Sequence, residues 1–230
     1  MDPRQRLIVA LDVSTAVAAR KIVAAVGDSA FTYKVGMQLY TAEGPSIVRE
    51  LVGSGHRVFL DLKYHDIPNT VGSAVREAAQ LGVSMLTVHA SGGGKMLRAA
   101  VEAATSKPDL LVLGVTVLTS LDEVELGKIG LRGGVLEQVL RLAALTLSNG
   151  CKGVVASAQE AGALRGEFGH DFVIVTPGVR LAGTGPNDQA RIVTPGEAIA
   201  AGASHIVVGR PITEAADPAT EARAILGQIG

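Results

Sequence analysis

The chain has 230 residues, 47% hydrophobic and 19% charged, with a formal net charge of -1. Aromatics make up 3% and Trp is absent, so the expected core is built from Val, Leu, Ile and Ala. No basic block, RNA-binding aromatic motif or zinc spacing occurs, which argues against a nucleic-acid partner.

The N-terminal Met1-Asp2-Pro3-Arg4-Gln5-Arg6 leads into an apolar run that ends at Asp12. That run is too short and too soon interrupted for a signal peptide or a membrane span. Cys151 is the one cysteine, which excludes an internal disulfide and fits a reducing compartment. It follows Gly150 at the head of an apolar strand, so packing is its expected role. The chain is expected to be soluble and cytoplasmic, with no membrane partner.

Val/Ile/Leu-rich runs mark strands at about 6–12, 31–37, 57–63, 85–90, 110–118, 153–157, 172–178 and 205–211. Ala-rich amphipathic segments lie between them, among them Ser14 to Val26, Thr70 to Gln80, Gly134 to Ser148 and Thr194 to Ala201. Asp217-Pro218 opens the last helix as cap and first turn. Strict strand–helix alternation predicts a parallel sheet. Eight such units in 230 residues fit a single (β/α)8 TIM barrel, slightly under the usual ~250 residues. An open doubly wound sheet would need a Gly-rich first turn, and Leu11-Asp12-Val13-Ser14 has none. With no linker, low-complexity stretch or further repeat, residues 1–230 are expected to form one domain.

In such a barrel the active site lies at the C-terminal strand ends. Polar residues gather there strand after strand: Asp12, Lys34, Asp61 with Lys63, His89, Thr119 with Ser120, Arg180 and Gly209-Arg210. The densest cluster is Asp61-Leu62-Lys63-Tyr64-His65-Asp66, directly after the buried-strand run Val58-Phe59-Leu60. Side chains at i and i+2 share a strand face, which sets Asp61 beside Lys63. Buried charges are costly unless paired, and Lys34, Asp61, Lys63 and Asp66 sum to zero. A mutually paired network of those four is therefore expected, against the alternatives of a rim salt bridge or a snorkelling Lys34.

Gly209 permits close backbone approach and Arg210 supplies a bidentate fork, at a strand end where barrels often bind phosphate. The stretch after Pro177-Gly178-Val179-Arg180, reaching Ile192, reads as a polar lid with Gln189 as a candidate contact. Ser91-Gly92-Gly93-Gly94-Lys95 looks like a phosphate loop but has Met96 where Ser or Thr is needed. The five histidines show no metal-ligand spacing. Ser120 has no general-base partner, which excludes a nucleophilic triad. His89 either supports the site from behind or is a satisfied core histidine.

Taken together, Ala10-Leu11-Asp12, Lys34-Val35-Gly36, the run from Asp61 through Ile67-Pro68-Asn69-Thr70, Val88-His89-Ala90, Leu118-Thr119-Ser120, Thr176-Pro177-Gly178-Val179-Arg180 and Val208-Gly209-Arg210-Pro211 resemble the orotidine 5'-phosphate decarboxylase family. The resemblance spans essentially the whole chain. It implies conversion of orotidine 5'-phosphate to UMP and CO2 in pyrimidine biosynthesis, with no cofactor and no metal, by a homodimer with shared active sites. Lys63 would be the proton donor, with Lys34, Asp61 and Asp66 completing the charged network. Substrate contacts would come from the whole run of Asp61, Leu62, Lys63, Tyr64, His65, Asp66, Ile67, Pro68, Asn69 and Thr70. Of these, Asp66, Ile67 and Thr70 would reach into the partner subunit's site. Asp12 would hold the ribose, Thr119 and Ser120 the pyrimidine, and Arg180, Gln189, Gly209 and Arg210 the phosphate. Two rivals are a magnesium-dependent phosphosugar enzyme (3-keto-gulonate-6-phosphate decarboxylase or hexulose-6-phosphate synthase) and a catalytically silent phosphate-ligand sensor.

Overall fold

The computed structural model describes residues 2–179 and 193–230. A short helix α1 (Pro3–Arg6) precedes β1 (Leu7–Ala10), which is followed by α2 (Ala16–Val26) and β2 (Thr32–Gly36). After β2 come α3 (Met37–Glu43), α4 (Pro45–Gly53), β3 (Arg57–Tyr64), α5 (Pro68–Gln80), β4 (Met85–His89) and α6 (Gly94–Ala103). The next stretch holds β5 (Leu111–Val115), α7 (Glu123–Lys128), α8 (Val135–Ser148), β6 (Gly153–Val155), α9 (Ala158–Phe168) and β7 (Val173–Thr176). The chain closes with α10 (Pro195–Ala200), β8 (His205–Val208), α11 (Arg210–Thr213) and α12 (Pro218–Ile229).

All eight strands are parallel and pair in chain order, and β8 returns to β1. The expected closed barrel is what the chain forms. Alternation along each strand sends the apolar residues to two faces, one inside the barrel and one beneath the helices. Ile8, Ala10, Phe59, Met85, Leu113, Val175 and Val207 fill the barrel. Leu7, Val9, Val58, Leu60, Leu86 and Val88 point outward and join the helices in the larger core. At about 25 cal/mol per Å² of apolar surface removed from water, this two-sided burial is the main favourable term.

Helix ends follow local chemistry. Thr15 caps α2 by accepting from the Ala18 amide at 3.2 Å, and Gly27 ends that helix at φ +55°. Ser157 with Glu160 and Thr194 with Glu197 form reciprocal capping boxes on α9 and α10. Asp217 caps α12 with Pro218 in its first turn, as the sequence predicts. The α5 helix begins at Pro68, two residues before the expected Thr70, because Pro needs no amide partner at a first turn. Between β2 and β3 the helical stretch is broken at Gly44, φ +64°, followed by Pro45.

The strands end earlier than their apolar runs. The β5 strand stops at Val115 although Val117 and Leu118 continue the pattern, and β7 stops before Pro177, which has no amide to give. Beyond these ends Thr116 still donates to the Val155 carbonyl and Val179 bridges Val193, while Val117 and Leu118 line the barrel mouth. At β6 the barrel wall needs a glycine: a Cβ on Gly153 would collide with the backbone carbonyl of Val173.

Candidate active site

A cavity of about 560 Å³ opens at the C-terminal end of the barrel. Its floor is apolar, made by Ala10, Phe59, Val115, Val155 and Val207. One wall carries Asp12, Lys34, Asp61 and Lys63; Gly209 and Arg210 adjoin Asp12 from the end of β8, and Thr119 and the Pro177–Val179 turn complete the lining.

The charged wall is an alternating row. Lys34 Nζ donates to Asp12 Oδ1 at 2.7 Å and lies 3.9 Å from Asp61 Oδ2. Lys63 Nζ lies 2.9 Å from both Asp61 oxygens. The side chains of Lys34, Asp61 and Lys63 are 11%, 14% and 24% exposed, so each ion is largely withdrawn from water and relies on its neighbours. Register explains the proximity: Ala10 pairs with Lys34, and Gly36 with Asp61. Gly36 also makes room for the row, since a Cβ there would stand 2.8 Å from Lys34 Nζ.

This row corrects one expectation. Within one chain the charges balance through Asp12, not Asp66. The Asp66 carboxylate is exposed and accepts from the adjacent Ile67 amide at 2.6 Å. Among the described residues it makes no ion pair. The chain has already turned outward there into α5, carrying Asp66 away from its own lysines.

The expected Asp61–Lys63 pairing does form, but not on a regular strand. The β3–β4 register runs Phe59 to Met85, Leu60 to Leu86, then jumps to Tyr64 with Val88. Four residues of β3 thus advance against two of β4. Inside this bulge Lys63 adopts φ +53°, the one positive φ outside glycine among the described residues. The left-handed region costs a non-glycine residue about 1–2 kcal/mol. Its amide donates to Thr87 Oγ1 at 2.9 Å, and that hydroxyl donates to Asp61 Oδ1 at 3.0 Å.

Other candidate residues fall outside the cavity lining. Leu62 and Tyr64 pack outward against the larger core, and burial pushes the Tyr64 phenol up to about 12. His65 lies beside His89, ring centroids 5.3 Å apart. Burial, then the neighbouring His65 and Lys63, lower the His89 pKa against the opposing pull of Asp61. Ile67, Pro68, Asn69 and Thr70 form the entry and first turn of α5, with Ile67 65% exposed. Ser120 is exposed beyond the lining residue Thr119. Arg180 and Gln189, with the lid expected up to Ile192, lie outside the described residues. Cys151 is buried and its thiol is pushed up to about 12, which suits packing.

Sequence reasoning missed Gln38, Glu214 and Thr87. Gln38 lines the cavity and donates through Nε2 to Ser14 Oγ at 2.9 Å; Glu214 lines it near Arg210. Thr87 was legible in principle, as a polar residue two positions before His89 on an otherwise apolar strand.

No described helix is long and apolar enough to cross a membrane. The profile of the orotidine 5'-phosphate decarboxylase / HUMPS family matches residues 5–225. A relative from Halorhodospira halophila named orotidine 5'-phosphate decarboxylase is 52% identical, with 97% of this chain and 95% of that one covered. Another of that name, from Hydrogenovibrio crunogenus, is 49% identical, with 100% and 98% covered. The crystal structure of orotidine 5'-phosphate decarboxylase from Lactobacillus acidophilus superposes with a TM-score of 0.87 at 38% identity, over 98% of this chain and 99% of that one. A barrel whose mouth carries this row of alternating charges, matched from end to end by such relatives, leaves one assignment: the chain belongs to the orotidine 5'-phosphate decarboxylase / HUMPS family.

Proposed function

We propose that the protein, acting as one domain over residues 1–230, converts orotidine 5'-phosphate to UMP and CO2 in pyrimidine biosynthesis. The observation that carries this reading is the Asp12–Lys34–Asp61–Lys63 row above an apolar floor. Breaking the C6–carboxylate bond leaves its electron pair on C6, and the ring offers no ordinary sink for it. Preorganised charge is then the available stabiliser. The Lys63 ammonium lies beside C6, stabilises the developing carbanion and delivers its proton there. Asp61 stands near the departing carboxylate and holds Lys63 in place. Departing CO2 is apolar and suits the floor formed by Phe59, Val155 and Val207.

Asp12 and Lys34 take the ribose, and Thr119 with Ser120 the pyrimidine end. Gly209, Arg210, Arg180 and Gln189 take the phosphate, whose distant binding energy orients the ring over Lys63. No cofactor has a part in this scheme. Magnesium-assisted enediolate chemistry would need acidic ligands on β2, where this chain presents Lys34 with its ammonium already bonded to Asp12.

Following UMP formation and CO2 release from orotidine 5'-phosphate, with and without EDTA, tests the reading. Turnover undiminished by the chelator is expected. Loss in EDTA with recovery in magnesium would transfer the chain to phosphosugar chemistry, and binding without turnover would make it a sensor.

The proposed working unit is a homodimer with shared sites. Asp66 supports this, being exposed beside the exposed apolar Ile67 and turned away from its own lysines. A partner's Lys63 is the cation it would meet. Inactive Lys63→Ala and Asp66→Ala dimers are therefore expected to regain activity on subunit exchange, because a mixed dimer gathers both lesions in one site and leaves the other intact. Exchange proved by mass spectrometry without recovered activity would place Asp66 in its own subunit's site.

A further inference from the structure

We propose that Thr87 is a positioning residue for this reaction: its hydroxyl ties the backbone of Lys63 to the carboxylate of Asp61 and so fixes both charges for catalysis. The inference rests on the functional reading above and adds a residue to it.

Its first support is the asymmetry between neighbouring strands. On its β5 side, β4 pairs without interruption, Thr87 opposite Leu113 and His89 opposite Val115. On its β3 side the ladder breaks between Leu60 and Tyr64, the stretch that carries Asp61 and Lys63. A regular strand thus stands beside a bulged one. Side-chain bonds from Thr87 join them where the register fails.

The second support is directional. A threonine hydroxyl has one proton to give and lone pairs to accept. Thr87 Oγ1 accepts from the Lys63 amide at 2.9 Å, which leaves its proton for Asp61 Oδ1 at 3.0 Å. An ionised carboxylate can only accept, so the polarity of the line is set: amide to hydroxyl to carboxylate. The carboxylate then receives the Lys63 ammonium at 2.9 Å. One oxygen atom therefore closes a ring through the backbone and the side chain of the same lysine.

Third, burial does not by itself produce such bonds. The hydroxyls of Thr32 and Thr176, equally buried strand threonines, have no partner among the described residues. Thr87 is wholly buried and does not line the cavity, so it cannot touch the substrate. It acts through Lys63 and Asp61 or not at all. Without its hydroxyl, the left-handed Lys63 loses a restraint on a conformation that its side chain disfavours. The bulge relaxes and the ammonium drifts from C6.

The test uses the full-length protein and three substitutions. Thr87→Val keeps the shape and removes the hydroxyl; it is expected to lower kcat about a hundredfold, the scale of a ~1 Å misplacement, with KM changed less than about threefold. Thr87→Ser restores the hydroxyl and is expected to stay within about fivefold of the parent kcat. If Thr87→Val does not fold by circular dichroism, Thr87→Cys takes its place, since a thiol is a weak donor and a weak acceptor. A second readout needs no turnover. Amide exchange across residues 61–65 is expected to quicken about tenfold in the hydroxyl-free variant while β4 and β5 stay protected.

Unchanged kcat and unchanged exchange in the folded variant overturn the role of Thr87. Loss of kcat that Thr87→Ser does not rescue overturns it as well, showing a packing effect. A parent protein that does not decarboxylate orotidine 5'-phosphate overturns the functional reading instead, and the exchange measurement still decides whether Thr87 holds the bulge.

Discussion

Replacing Lys63 with Ala is expected to lower turnover of orotidine 5'-phosphate by about ten-thousand-fold, since under the proposed mechanism it removes the proton donor and a transition-state charge together. The fold is expected to survive. Asp61 keeps the Thr87 hydroxyl at 3.0 Å and the Lys34 ammonium at 3.9 Å, so its carboxylate is not stranded. Alanine meets much the same backbone strain as lysine at this position. Stability within about 2 kcal/mol of the parent is the expectation, the range of an ordinary substitution. Single-turnover decarboxylation and circular dichroism, measured on one preparation, check both halves. Near-normal turnover would remove Lys63 from the chemistry.

The second large effect is expected at Asp61, and there stability falls along with activity. Asp61 is the carboxylate shared by two ammoniums, with its side chain 14% exposed. Asp61→Ala leaves Lys63 without its charge partner and Lys34 with Asp12 alone. Breaking a buried pair by removing one member costs about 3–5 kcal/mol, most of it from the uncompensated charge that remains. Partial exposure of Lys63 places this site at the lower end, so a loss of about 3 kcal/mol in urea unfolding at neutral pH is expected. The kcat is expected to fall by at least about a hundredfold as the ammonium loses its fixed position. Affinity separates the two roles of the carboxylate. If Asp61 repels the departing carboxylate, the variant binds orotidine 5'-phosphate more tightly than the parent while turning it over slowly. Equal binding with slow turnover would leave positioning as its role.

Much of the barrel was legible because its signals are periodic. Runs such as Val58-Phe59-Leu60 and Ile206-Val207-Val208 show strands buried on both faces, and parallel closure follows from their alternation with helices. Asp12, Asp61 and Lys63 were legible for a related reason, as charges placed where apolar runs stop, and Lys34 as a charge within an apolar strand. What stayed hidden depends on the relation between strands. Periodicity tells which face a residue takes, but not that β3 advances four residues while β4 advances two. Lysine gives no warning of a left-handed φ, as a glycine or asparagine would. Counting charges likewise grouped Asp66 with the lysines, because formal charge has no distance in it. The choice of Asp12 is made by the Ala10–Lys34 register. Thr87 went unnoticed because one hydroxyl gains its meaning from two partners more than twenty positions away in sequence.

The left-handed backbone at Lys63 sets folding and chemistry against each other at a single residue. Glycine would relieve that conformation and asparagine would tolerate it. A designer optimising this barrel for robustness alone would therefore choose one of them and obtain a firmer scaffold without the ammonium to which the proposed mechanism gives the proton transfer. On the proposed role, the lysine is a concession by the scaffold to its task, localised to one peptide unit and surrounded by well-packed strands. Stabilising substitutions in this protein belong on the outer helices and the far rim of the barrel. At the mouth, a gain in robustness is a warning that function has been surrendered.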